Sequence, residues 1–153
     1  MALMLSVTIP GLGLALAACG STFSGSTVGQ QVSAWAKTTG FAAQVGTIQG
    51  DLRRIGDAPG QGAGSLRTAC DVLVTDTLTA NQNLPSPDQM LTVSLSAAYT
   101  AAATAGRDCF SGAGGSPRLL ALSVTARTTA RRDLIKALAR YDTVTVGVAG
   151  GPS

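Results

Sequence analysis

This 153-residue sequence contains no histidine and no glutamate. Without histidine, the chain cannot activate a serine or cysteine nucleophile through an imidazole, nor bind zinc or haem through one. Without glutamate, it lacks the general base of most metal-dependent hydrolases. Of the remaining titratable groups, Asp71 and Asp76 are close in sequence but lie on different faces of a predicted helix. We therefore predict no catalytic residue, no metal site and no cofactor; an aspartate-based enzyme is the least favoured alternative.

Charged and aromatic side chains are also scarce, at 12% and 4% of the residues. Hydrophobic residues make up 45% of the sequence, which excludes a disordered, highly charged chain. The net charge is +3, but only Arg53-Arg54 and Arg131-Arg132 place two basic residues side by side. Surfaces that follow a phosphate backbone need clustered basic residues and stacking aromatics. We predict no nucleic-acid partner, and the length predicts one domain.

The first eighteen residues form an uncharged, largely apolar run that Pro10, Gly11 and Gly13 interrupt. A membrane-spanning helix requires about 20 apolar residues, whereas a secretory signal peptide has an apolar region of about 7–15 residues followed by small residues. The run therefore predicts a signal peptide over residues 1–18. A retained membrane anchor and a buried N-terminal helix with a free core cysteine remain as alternatives.

The motif LAAC at positions 16–19 ends this run and resembles the lipobox of bacterial lipoprotein precursors. The resemblance implies that the Cys19 thiol receives a diacylglyceryl group and that residues 1–18 are then removed. It also implies an extracytoplasmic protein, lipid-anchored to the outer face of the cytoplasmic membrane, with membrane lipid as its partner through Cys19. The run departs from the pattern because it has no basic residue: the first charge is Lys37, so either the true start lies upstream or the signal is atypical.

Residues 19–27, CGSTFSGST, combine the lipidated cysteine with small polar residues and are expected to form a flexible tether. If Cys19 carries lipid, Cys70 and Cys109 can pair only with each other, and a disulfide is the expected state of such a pair outside the cytoplasm. A metal or redox site is disfavoured because the chain has no CxxC motif and no histidine. We therefore predict a structural disulfide between Cys70 and Cys109.

The positions of Cys70 and Cys109 in their helices pose a geometric problem. A straight helical hairpin would leave them about 15 Å apart along its axis, whereas a disulfide tolerates a Cα separation of only about 4.4–6.8 Å. We expect either that the helix carrying Cys109 ends near Gly106 and the chain turns back, or that residues 83–88 take up the offset.

Apolar periodicity predicts an all-α fold, a four- to five-helix bundle-like domain over residues 28–142 that is stapled by one disulfide and preceded by the signal peptide and tether. Residues 143–153 are predicted to form a strand-like or frayed tail. Thr38-Thr39-Gly40 predicts a kink or a break between two short helices. The inward-facing stripes of the three following helices are Leu66, Cys70, Leu73, Thr77 and Ala80; Leu91, Leu95, Ala98, Ala102, Ala105 and Cys109; and Leu120, Val124, Leu134, Leu138 and Tyr141.

Helix starts are predicted from capping residues. Ser65 is expected to cap the helix that carries Cys70, and Ser86 the helix that carries Cys109, with Pro87 in its first position. The last helix is expected to begin at Ser116-Pro117 and to end near Tyr141. Between Leu66 and Cys109, the stretches LRTAC and then NLPSPDQMLTVSLSAAYTAAATAGRDC place a cysteine early in one helix, an LP-x-PD link, and an alanine-rich helix that ends in cysteine. This pattern resembles small helical lipoproteins of high-GC Gram-positive bacteria, and the resemblance implies a fold and a location but no activity.

Arg127 and Arg131 lie one turn apart within the apolar stripe predicted for the last helix. Two inward arginines are costly unless they are paired or reach water. They are candidates for an anion site, for example for a phosphate or a lipid headgroup held by two guanidinium groups. The favoured alternative is a structural pairing with Asp51 or Asp108, or a bundle end at which both arginines reach solvent.

The same helix carries a second, outward stripe of Arg132, Lys136 and Arg140, which is expected to be solvated or to lie against an anionic membrane. The leading functional hypothesis is a non-catalytic binding or interaction module of the cell envelope, with an unidentified envelope protein as its partner. The alternative is a carrier or sensor of a small amphipathic or anionic ligand, held in the bundle with Arg127 and Arg131 at its polar end.

Overall fold

The computed structural model of the chain describes residues 26–57, 60 and 62–146. The part described is all-α, as predicted, and no strand occurs in it. The predicted signal peptide, Cys19, most of the tether and residues 147–153 lie outside the described residues. The described residues form five helices: α1 (Val28–Thr39), α2 (Phe41–Asp57), α3 (Ala63–Asn81), α4 (Gln89–Gly112) and α5 (Pro117–Val146).

Helix α4 lies at the centre of the bundle, with α3 and α5 packed antiparallel against it. The Cys70–Cys109 disulfide joins α3 to α4 with a Cα–Cα distance of 5.8 Å, which confirms the predicted pairing. On the other side of α4, the Ser123 hydroxyl of α5 donates to the Ala105 carbonyl at 2.8 Å. The predicted inward stripes of α3 and α4 are buried along their whole length.

Close approach between these helices depends on small residues. A Cβ on Gly106 would stand 2.6 Å from Val74 Cγ2 and 2.9 Å from the Cys70 carbonyl oxygen of α3. A Cβ on Gly112 would stand 2.9 Å from the Leu120 backbone nitrogen of α5. Because each helix backbone lies against its neighbour, the core is filled by alanine and leucine rather than by large rings.

The predicted break after α1 is confirmed at Gly40, where φ is 65° and the helix ends in the left-handed conformation. Helix α2 starts at once, so the chain makes a sharp corner. Phe41 at this corner packs on Trp35, with ring centroids 5.3 Å apart, and on Tyr141 of α5 at 5.1 Å. The aromatic contacts therefore fix the α1–α2 corner against the last helix.

Two predicted helix caps are wrong. The N-cap of α3 is Gly62, so Ser65 lies inside the helix and is exposed. The N-cap of α4 is Asp88, whose carboxylate accepts from the Leu91 backbone N–H at 2.7 Å. Ser86 instead donates its hydroxyl to the Asp88 carbonyl. Asp88 is the cap because its ionised carboxylate lies nearer to the free N–H groups of the helix and is a stronger acceptor than a hydroxyl.

The offset between the two cysteines is absorbed by the connection between α3 and α4. Helix α4 continues unbroken to Gly112, so the alternative that it ends near Gly106 is wrong. Residues 82–88 separate the two helices and contain a cis Leu84–Pro85 bond. Seven extended residues span up to about 23 Å, whereas the difference in helix length to be made up is about 13 Å.

The last helix is longer than predicted and its stripe is different. Helix α5 runs to Val146, so the tail expected from residue 143 begins with helix. Thr143 and Thr145 donate their hydroxyls to the carbonyls four residues earlier, which accommodates both threonines within the helix. Val124, predicted to face the core, is 50% exposed, because Ser123 takes the inward position at that turn. Leu134, from the same predicted stripe, is buried as expected.

Candidate functional site

The two arginines predicted as an anion site lie against α2, at the edge of the bundle. Arg127 is half-buried and crosses Gly56, where any Cβ would collide with its guanidinium. Arg131 is exposed and donates from Nη2 to the Leu52 carbonyl at 3.1 Å. The expectation that both belong to the buried stripe is wrong for Arg131, and the partner observed for Arg131 is a backbone carbonyl rather than an aspartate.

These two arginines raise the positive potential beside the C-terminal turns of α2. Burial lowers the pKa of Arg127, and the nearby charge of Arg131 lowers it further. The Asp57 carboxylate at the end of α2 acts in the opposite direction. The negative end of the α2 dipole also favours cations here. The arrangement explains how two like charges are accommodated one helical turn apart.

A surface groove of about 300 Å³ runs between α2 and α5. It brings Arg131 together with Arg53, a residue that the sequence analysis considered only as half of a basic pair. The side chains that line it are Gln49, Arg53, Arg131 and Ile135. Ile135 is 64% exposed, so the groove combines two cations with one apolar side chain that is open to solvent.

A second groove follows α3 and α4 on the other side of the molecule. Arg107 borders it in two adjoining sections of about 120 and 180 Å³. Leu78 lines one section and Phe110 the other, and both are about half exposed. This α3–α4 groove therefore presents apolar side chains on either side of Arg107, and Asp71 lines the same section as Phe110.

Arg140, predicted to be solvated, instead binds α5 to the start of α4. Its guanidinium donates from Nε to Asp88 Oδ1 at 3.0 Å and from Nη2 to Oδ2 at 2.5 Å. Hydrogen bonding from Arg140 holds the pKa of Asp88 below its usual value, and the Leu91 backbone N–H acts in the same direction. No sequence spacing signals this pair, because the two residues are 52 positions apart.

The remaining basic residues of the predicted outward stripe are exposed, as expected. Arg132 and Lys136 both pair with Asp133, at 3.1 and 3.3 Å. Their hydrogen bonds lower the pKa of Asp133. Asp133 therefore compensates part of the positive charge on this face of α5.

Asp51 carries a buried carboxyl group, and its predicted role was that of a possible arginine partner. It is 2% exposed in α2 and accepts from Arg54 Nη1 at 2.6 Å. Burial, and then the facing Asp76 carboxyl of α3, raise its pKa from 3.8 to about 6. Asp51 Oδ2 has no donor while both groups are ionised, whereas one proton turns the contact with Asp76 into a hydrogen bond.

The residues that the structure describes contain no group of three or more histidine, cysteine or acidic residues that would hold a metal ion. None of the helices described combines the length and the apolar character needed to cross a bilayer.

No protein-family model, curated protein or solved structure matches this chain.

Proposed function

We propose that the chain is an extracytoplasmic lipoprotein whose helical domain is a non-catalytic binding module of the cell envelope. The observation that carries the proposal is the Cys70–Cys109 disulfide, which is buried in the core between α3 and α4. Structural disulfides form and persist in oxidising compartments outside the cytoplasm. The disulfide accounts for two of the three cysteines, and the third, Cys19, ends the motif LAAC.

The position of the first helix supports anchoring through Cys19. Helix α1 begins at Val28 with a capping box, in which Thr27 and Gln30 exchange hydrogen bonds. The eight residues between Cys19 and Val28 span at most about 28 Å. Two acyl chains on Cys19 would hold the domain stably at this distance from the bilayer.

The burial of its titratable groups supports a non-catalytic role. The Asp51 carboxyl, which has a raised pKa, is closed off from solvent between α2 and α3. Burial also raises the pKa of Tyr99 to about 12, and its side chain lies in the core. A substrate cannot reach Asp51 without opening the bundle, and Tyr99, although it borders the α3–α4 groove, is only 2% exposed. Asp51 and Tyr99 therefore fit structural roles.

Exposed apolar side chains support the binding role. Leu78 and Phe110 line the α3–α4 groove, with Arg107 between them. The disulfide fixes α3 against α4 beside this groove, so its shape is held without a ligand. A preformed surface of this kind suits recognition of another protein. We assign the partner to the cell envelope because the anchor confines the domain there.

Metabolic labelling with an alkyne fatty acid tests the anchor. The wild-type chain should take up the label and lose residues 1–18, whereas Cys19→Ser should remain unlabelled and keep them. The double variant Cys70→Ser/Cys109→Ser is the matched control, because it removes two cysteines and retains Cys19. An unlabelled wild type, or a labelled Cys19→Ser variant, would contradict the proposal.

A further inference from the structure

The α2–α5 groove carries positive charge that the surrounding helices leave largely uncompensated. Within the described residues, the ion pairs use Arg54, Arg132, Lys136 and Arg140. None of them includes Arg53, Arg127 or Arg131, the three arginines at the α2–α5 contact. Asp57 opposes the charge of Arg127 at a distance. An anion that entered the groove would therefore meet cations that have no closer partner.

One of these guanidinium groups is already positioned. The bond from Arg131 Nη2 to the Leu52 carbonyl holds the guanidinium group against α2, while the side chain as a whole remains exposed. Arg127 lies behind it across Gly56 and repels it electrostatically. A bound anion would relieve that repulsion, and the planar fork of an arginine matches the oxygens of a phosphate.

Apolar side chains lie beside the charges on the same side of α5. Ile135 lines the groove one turn after Arg131, and Val124 lies three turns before Ile135. Both are at least half exposed. Peripheral membrane surfaces combine basic residues with exposed aliphatic side chains in this way, because the cations contact headgroups while the aliphatic groups enter the interface.

We propose that the α2–α5 groove binds a phosphate group between Arg53 and Arg131, and that this phosphate is the headgroup of a membrane lipid. Gln49 adds an amide donor to the same groove, and Ile135 contacts the apolar part of the lipid. The choice of a lipid over a free phosphate rests on the proposed membrane anchor, which keeps the domain close to the bilayer. The lipid contact would orient the tethered domain and fix which groove faces away from the membrane.

Vesicle co-sedimentation tests the proposal on the mature chain, residues 19–153, with Cys19→Ser so that no acyl chain contributes. The chain should bind vesicles of phosphatidylglycerol and leave vesicles of phosphatidylcholine in solution. Arg53→Gln and Arg131→Gln should each weaken binding about fivefold, the effect of one basic residue near an anionic surface. Arg132→Gln is the matched control: it removes the same charge from a residue that lies outside the groove and is paired with Asp133, and it should change binding less than about twofold.

A second arm identifies the source of the phosphate. Inorganic phosphate is titrated into the same protein while the Arg131 side-chain and Ile135 backbone signals are followed by NMR. Shifts that disappear in Arg53→Gln and persist in Arg132→Gln would support the site and assign it to a free phosphate. Vesicle binding without such shifts would support the lipid, and Ile135→Ser should then weaken vesicle binding.

The proposal would be overturned if neither ligand distinguished the groove variants from Arg132→Gln, or if neither bound at all. Arg53 makes no hydrogen bond within the part of the chain described, so Arg53→Gln should leave the thermal unfolding unchanged and remain interpretable even if Arg131→Gln unfolds. Because the tested protein carries no lipid, a negative result in both binding experiments would leave the proposed lipidation of Cys19 intact. Likewise, an absence of lipidation in cells would leave the result for the groove intact.

Discussion

At the scale of single residues, apolar contacts follow the helical repeat of the chain, whereas charged pairs depend on how the helices pack. Leu73 and Leu95 recur with helical spacing, so their burial follows from the pattern alone. Asp88 and Arg140 meet only because α4 and α5 pack antiparallel. No local sequence pattern predicts that packing. Charged side chains find partners across helices, so their roles appear only once the tertiary structure is known.

The pair of Asp51 and Asp76 makes stability depend on pH. The pKa of Asp51 rises from 3.8 to about 6 on folding, so the folded chain holds this proton more tightly than the unfolded chain. The contribution to the free energy of unfolding is therefore fully present below pH 3.8 and is lost as the pH rises through 6, by an amount on the order of 3 kcal/mol. Urea unfolding of the wild type between pH 4 and 8 should show this decline.

Asp51→Asn should remove most of that decline and raise the free energy of unfolding at pH 7, since an amide donates to Asp76 without a charge. Asp71→Asn, at an exposed position of α3, is the control and should retain the wild-type slope. A slope that is unchanged in Asp51→Asn would show that the buried pair does not control the pH dependence.

Asp88 is expected to stabilise the start of α4. Asp88→Ala removes the bond to the Leu91 N–H and should lower the free energy of unfolding by about 1 kcal/mol from the cap alone. Asp88→Asn keeps a capping oxygen and should cost less. Thermal unfolding measured by circular dichroism compares them with Asp133→Ala, which lies within α5 and should change stability by less than about 0.5 kcal/mol. An equal cost for Asp133→Ala and Asp88→Ala would contradict the capping role.

At the scale of helices, the number and order of elements follow from the sequence, whereas three of their ends do not. The break at Gly40 was predictable because the apolar residues move to another helix face there, at a residue that adopts positive φ readily. The start of α4 was not, because Ser86 and Asp88 are both good caps and only the position of Arg140 favours Asp88. The extension to Val146 opposes the usual preference of β-branched residues for strands.

Alanine substitutions at two helical glycines distinguish the effect of helix packing on stability from the effect of helix propensity. Gly106→Ala places a methyl group against Val74 and the Cys70 carbonyl, and should lower the free energy of unfolding by about 1–3 kcal/mol. Gly46→Ala is the matched substitution in α2, where a Cβ meets nothing within 4 Å, and should raise it by up to about 1 kcal/mol. Chemical denaturation of both variants should give shifts of opposite sign. A stabilising Gly106→Ala would contradict the close approach of α3 and α4.

At the scale of the whole molecule, one covalent bond joins the two halves of the α3–α4 hairpin, and the proposed lipid fixes the domain to a surface. The disulfide closes a sequence separation of 39 residues. The pairing of Cys70 with Cys109 could be predicted by counting the cysteines. The geometry that brings them together could not, because the path of residues 82–88 depends on tertiary contacts such as the hydrogen bond from Trp35 Nε1 to the Asn83 carbonyl.

Reduction of the disulfide should destabilise the domain as a whole. Cys70→Ser/Cys109→Ser should lower the free energy of unfolding by about 4 kcal/mol, the value that the chain-entropy account gives for a loop of this length. Cys19→Ser is the control and should leave the unfolding curve unchanged, because the lipid site precedes the helical domain. Equal stability of the double variant and the wild type would show that the helices hold the hairpin without the bond.

The central claim is that the three cysteines divide between one lipid anchor and one disulfide. Intact-mass analysis of protein extracted from native membranes, after denaturation in a thiol-alkylating reagent, tests it most directly. The mass should equal residues 19–153 with a diacylglyceryl group on Cys19 and no alkylated cysteine. An unmodified or alkylated Cys19, or a mature N-terminus at another residue, would contradict the account.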